Sequence, residues 1–113
     1  MSQRQLKRSL EYKQKVRDYV GNLSRRYRPE IAGVFIKDVG LAQKRIFDNN
    51  EAGTSAPYIM LGQKVVLREL YFTSGPAKYC MVYDILDDHI GLVTLWHGTG
   101  ARTSDDLLRL WDQ

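Results

Sequence analysis

The sequence predicts an α+β domain in which an N-terminal antiparallel helix hairpin packs on a three- to four-stranded antiparallel sheet, followed by a short C-terminal helix. Three observations carry this. Leu6, Leu10, Val16, Tyr19, Val20, Leu23 and Tyr27 fall mostly three and four residues apart, which makes one apolar stripe on a helix. Ile31, Phe35, Val39, Ala42 and Ile46 repeat that spacing directly afterwards. Three strand-like runs follow, Val65 to Phe72, Lys78 to Leu86 and Ile90 to His97. The segments between them are too short for crossover helices, so the runs form an antiparallel meander.

Taken in order, helix 1 is expected at about Ser9 to Tyr27, with Ser9 as its N-cap. The residues before it form either a short strand, since Gln5-Leu6-Lys7 alternates, or a frayed extension. Pro29 suits the first position of helix 2, where its missing N–H would have had no partner anyway. That helix stops near Asn49-Asn50. Gly33 and Gly40 are seven apart, nearly on one face, where they would let helix 1 approach closely. Glu51 to Pro57 reads as a mobile polar linker, Tyr58-Ile59-Met60 as a short strand or extended approach, and Leu61-Gly62-Gln63 as a turn.

In the meander Ile90, Leu92, Thr94 and Trp96 alternate with Gly91, Val93, Leu95 and His97, and both faces of the sheet are partly apolar. One helical layer covers one face, so the C-terminal helix, a partner chain or a substrate is needed on the other. That last helix is expected after the loop 98–102, capped by Thr103 or Ser104, with Leu107, Leu108, Leu110 and Trp111 on its apolar side.

A chain of 113 residues fits a single domain, 1–113, and its 43% hydrophobic and 27% charged residues exclude disordered and collagen-like classes. A single cysteine forms no internal disulfide, which suits a reducing, cytoplasmic setting. No apolar run approaches the ~20 residues of a membrane helix, and no signal-peptide core is present, so no membrane partner is expected. The net charge of +4 is unevenly spread. Residues 1–28 hold nine Lys/Arg against Glu11 and Asp18, whereas the remainder is net acidic. This favours a polyanion or an acidic protein segment as partner for helix 1, or else marks a solvated helix face. The candidate nucleic-acid-binding residues are Lys13, Arg17, Arg25, Arg26 and Lys64.

The order helix, helix, meander combines with Leu61-Gly62, Val66-Leu67-Arg68, Tyr79-Cys80-Met81-Val82-Tyr83, the acidic turn Asp87-Asp88 and Val93-Thr94-Leu95-Trp96-His97-Gly98. Together these resemble the RelE/ParE superfamily of bacterial toxins over about residues 9–105. The resemblance implies a small basic toxin of a type II toxin-antitoxin system, silenced by a cognate antitoxin protein. It implies growth inhibition either by an endoribonuclease that cuts mRNA on the ribosome or by action on DNA gyrase. Two departures weaken the nuclease branch: Cys80 stands where nuclease members have an arginine, and Gly98-Thr99-Gly100 delays the next cation to Arg102. A non-catalytic nucleic-acid-binding or adaptor protein on the same scaffold is the alternative.

His97, Arg68, Arg102 and Tyr83 are the candidate catalytic residues. Cleavage through a 2′-hydroxyl needs a base, an acid and positive charge for the phosphorane, and His97 with two arginines would supply part of that. Each has a plainer reading. His97 would cap the strand end through backbone hydrogen bonds, and Arg68 would pair with Asp84 or with neighbours of Glu69. Tyr79 and Tyr83 would be core aromatics or would stack a base. Cys80 reads as a small buried hydrophobe. No metal or cofactor is expected, since one cysteine completes no zinc set and His89 and His97 are placed on opposite faces by parity.

Overall fold

In the computed structural model, which describes residues 4–98, the chain runs β1 (Gln5–Arg8), α1 (Leu10–Arg26), α2 (Pro29–Asp48), β2 (Thr54–Met60), β3 (Gln63–Ser74), β4 (Ala77–Ile85) and β5 (His89–His97). The fold is α+β, with two helices on one face of a sheet ordered β1-β5-β4-β3-β2. The sheet has five strands and mixed pairing, in place of the expected three or four antiparallel ones. β1 is parallel to β5, with Leu6 opposite Ile90 and Arg8 opposite Leu92. A parallel neighbour so far away in sequence leaves no local turn signal, which is why alternation at residues 5–7 alone did not decide it.

Ser9 ends β1 and starts α1. Its hydroxyl accepts the Tyr12 N–H at 3.0 Å as the helix N-cap, and the same hydroxyl donates to the Val93 carbonyl at 2.6 Å. Val93 has no opposite number in either neighbouring strand, because Tyr83 faces Leu92 and Val82 faces Thr94. It is therefore a β-bulge, and Ser9 satisfies the carbonyl that the bulge takes out of the ladder.

The extra residue reverses the faces of the rest of β5, correcting the alternation read from the sequence. Leu95 and His97, opposite Met81 and Tyr79, join Ile90 and Leu92 on the helix side, while Thr94 and Trp96 turn to the other face. His89 and His97 do end up on opposite faces. Strict alternation over eight residues would have returned them to the same one, so the bulge separates them and parity does not.

The linker expected at Glu51 to Pro57 is largely strand. β2 pairs with β3 from Thr54–Glu69 to Met60–Gln63 around the two-residue turn Leu61-Gly62. Both turn residues have positive φ, 52° and 77°, as a type I′ hairpin requires, and this turn chemistry outweighed the polar composition before it. Gly33 and Gly40 are exposed, and a Cβ at either would meet nothing within 4 Å, so neither serves helix packing as expected. Arg28-Pro29 starts α2 with proline in its first turn.

The main core lies between helices and sheet. Tyr12 from α1 and Phe35, Val39 and Ile46 from α2 meet Leu70, Met81, Tyr83, Leu92 and Leu95. A smaller cluster of Tyr58, Met60, Leu67, Cys80, Val82 and Val93, with Trp96 against it, lies on the opposite face. Cys80 is fully buried there. Of the covers expected for this face, a C-terminal helix, a partner chain or a substrate, the first falls outside the described residues.

Replacing Ser9 with alanine removes a helix cap and leaves a buried carbonyl without a donor. Ser9→Ala should cost about 2–4 kcal/mol, read as a fall in urea midpoint at unchanged slope.

Candidate functional site

Four sequence-predicted residues divide between two places, and the division follows the strand register. Arg68 faces Tyr83 across β3 and β4, whereas His97 faces Tyr79 across β4 and β5. Tyr79 and Tyr83 are four positions apart on β4, roughly 13 Å along the strand. Arg68 and Tyr83 thus sit at one level of the sheet and His97 at another. Arg102 lies outside the described residues.

Arg68 and Tyr83 hold the connection between α2 and β2. The buried Tyr83 hydroxyl donates to the Asn50 carbonyl at 2.7 Å and accepts the Gly53 N–H at 2.8 Å. Arg68 donates to the Gly53 carbonyl at 2.7 Å and lies 3.5 Å from the Glu51 carboxylate. The acidic partner is Glu51, not Asp84 or a neighbour of Glu69 as the sequence suggested. Glycine is needed at 53, since a Cβ there would come within 2.8 Å of the Glu69 carbonyl and 2.9 Å of the Tyr83 ring. Burial pushes the Tyr83 phenol up, while the Gly53 N–H and Arg68 pull it down.

His97 stands at the other level with its ring among aromatics, 5.1 Å from Tyr79 and 6.2 Å from Tyr19. Its side chain makes no hydrogen bond among the described residues, where the expected capping role therefore finds no partner. The strand end is held instead by Tyr19, whose hydroxyl donates to the Leu95 carbonyl at 3.2 Å, and by the Gly98 N–H on the Lys78 carbonyl at 2.7 Å. Tyr79 is the hub, touching Tyr19, Phe35, Phe72 and His97 with centroid separations of 4.9–5.6 Å.

His97 borders a groove of about 390 Å³ between the α1–α2 turn and the β3–β4 turn. Tyr27, Ile31 and Val34 form its helical rim, and Pro76 and Ala77 the opposite one. Arg26, read from the sequence as a nucleic-acid contact, also lines it. The groove itself escaped sequence reasoning, because it is made where two turns distant in the chain meet. A signal was present: Tyr27 and Ile31 extend the apolar stripes to the very ends of their helices, and Tyr27 is 64% exposed.

The cations do not share one surface. At 100° per residue, Lys13, Arg17 and Arg25 lie within an arc of about 120° on α1, while Arg26 is about 180° from Arg17. Arg17 and Arg25 are exposed, and Arg25 donates to Asn22 at 2.8 Å. Lys64 stands near the start of β3, ten positions and roughly 30 Å from the groove end of that strand. Other N-terminal cations have structural partners: Arg4 bonds Asp87 and Asn50, Arg8 bonds Gln43, and the Lys15 ammonium lies 4.9 Å over the Trp96 ring.

Among the described residues no cluster of His, Cys, Asp or Glu could hold a metal ion, and no helix is long and apolar enough to cross a membrane. Burial raises the phenols of Tyr12, Tyr19, Tyr58, Tyr79 and Tyr83, with Tyr12 pushed up to about 12.

Tyr83→Phe should therefore cost about 1–3 kcal/mol by freeing the 50–53 connection, and His97→Ala less than about 1 kcal/mol, both read by urea denaturation. A larger loss for His97→Ala would reverse these roles. Alkaline stability tests the buried phenols. Below pH 10 Tyr12 is neutral in both states; above it the unfolded chain ionises first, so a contribution of about 2–3 kcal/mol fades as pH passes about 12. Denaturation midpoints of Tyr12→Phe should accordingly fall less steeply above pH 10 than those of the unaltered chain. Compared with protein-family models, curated proteins and solved structures, the chain matches none.

Proposed function

We propose that this chain is a growth-inhibiting toxin of the RelE/ParE type that acts by holding a nucleic-acid-bearing target, the ribosome or DNA gyrase, and not by cutting RNA. An antitoxin protein would silence it. The observation that carries the non-cutting form is the employment of Arg68 and Tyr83. Both are spent on the Asn50–Gly53 connection, at a different level of the sheet from His97. Among the described residues His97 is thus separated from Arg68 and Tyr83, the partners the sequence assigned to it for the phosphorane.

Binding is supported by the exposed arginines of α1. Arg17 and Arg25 stand on the outer side of a helix whose inner side is packed in the core, where they are positioned to neutralise phosphates. The sequence-level order of helix pair and meander, with its short motifs, supports the toxin part of the reading.

Induced expression in a bacterium without any partner gene tests both parts. Growth should stop, transcripts mapped by primer extension should stay uncut, and His97→Ala should arrest growth as well as the unaltered chain. Arg17→Gln combined with Arg25→Gln should relieve the arrest. Normal growth at full expression would remove the toxin reading. New transcript ends that vanish with His97→Ala would restore the cutting one.

A further inference from the structure

We infer that the groove between the α1–α2 turn and the β3–β4 turn is a binding site for a small aromatic anion, of the class of bicyclic aromatic carboxylates. The inference goes beyond the proposed function and does not rest on it.

Shape gives the first argument. A concavity of about 390 Å³ with mainly apolar walls falls within the range of small-ligand sites. The walls stay open although they are apolar: Ile31 is 43% exposed and Val34 50%. Aromatic rings dominate the floor, where Tyr79 and Tyr19 meet edge-on, and a flat ligand ring would extend that packing.

Polar groups give the second. Tyr79 is only 3% exposed, lines the groove, and its hydroxyl has no hydrogen-bond partner among the described residues. The hydroxyl is not sealed from solvent, so it opens to the groove and is free to donate to a ligand oxygen. Arg26 supplies a guanidinium at the rim with no ion pair among the described residues, and among those residues no Asp or Glu lines the groove. A cation, a neutral donor and aromatic walls, with no carboxylate lining them among the described residues, select against cationic ligands and favour a planar anion.

The test uses the full chain labelled with ¹⁵N and two probes of equal shape, 2-naphthoate and neutral 2-naphthylmethanol. Naphthoate should shift the amide resonances of Leu23, Ala77 and His97 saturably, and bind at least tenfold more tightly than the alcohol. Arg26→Gln should bring naphthoate down to the affinity of the alcohol, while Arg25→Gln, one residue away and turned elsewhere, should leave it unchanged. Tyr79→Phe should weaken both probes several-fold. If that variant does not fold by circular dichroism, the exposed Arg26 comparison still decides. Equal affinity of the two probes, an equal loss in Arg25→Gln, or shifts centred away from the groove would overturn the assignment. So would an acidic, tryptophan-containing peptide that binds there when naphthoate does not, because the groove would then belong to a protein partner.

Discussion

The hydroxyl of Ser9 is the constraint on which the arrangement depends. It accepts the Tyr12 N–H, so α1 begins there, and donates to the Val93 carbonyl, so an unpaired residue is tolerated inside a buried strand. A buried carbonyl without a donor costs about 1–3 kcal/mol, and here a single side chain both removes that penalty and sets the helix start. The bulge then re-aims everything after it. Leu95 turns toward the helices to complete the core, and His97 turns with it into the aromatic cluster. Were Val93 paired in regular alternation, Trp96 would face the helices and His97 would lie on the far side of the sheet.

A second fixed point lies at the opposite end of the core. The α2–β2 connection passes so close to β3 and β4 that only glycine fits at 53, and Tyr83 and Arg68 close over it from below. A short polar segment is thereby bound into the sheet at Thr54, and β2 follows. The same two side chains are the ones whose chemistry looked most useful for catalysis. A tyrosine hydroxyl and a guanidinium satisfy backbone groups as readily as they meet phosphates, and their neighbours settle which they do.

Among the surfaces the described residues leave open to solvent are an apolar groove lined by Tyr27, Ile31 and Val34 and exposed cations along the outside of α1. The groove gathers one residue from the catalytic candidates, His97, and one from the nucleic-acid candidates, Arg26, beside the Tyr79 ring. The outer cations are fewer than the charge of residues 1–28 suggests, since Arg4, Arg8 and Lys15 are engaged by the rest of the fold. The two surfaces lie on different sides of α1, so they are able to serve different partners.

The sequence by itself determined the helix pair, the Ser9 cap and the three long strands, because these depend on local periodicity and on side chains acting within a few residues. The spacing of Phe35, Val39, Ala42 and Ile46 leaves little choice for α2 once one face must be buried. Only the tertiary structure decided the parallel pairing of β1, the conversion of the linker into β2, and the faces of β5. Each of these rests on a partner many residues away: Leu92 for Ser9, Glu69 for Thr54, Val82 and Tyr83 for the bulge. Strand alternation has a period of two, so one inserted residue inverts every later side chain without altering composition or pattern. For that reason the environment of His97 could not be read from its own strand.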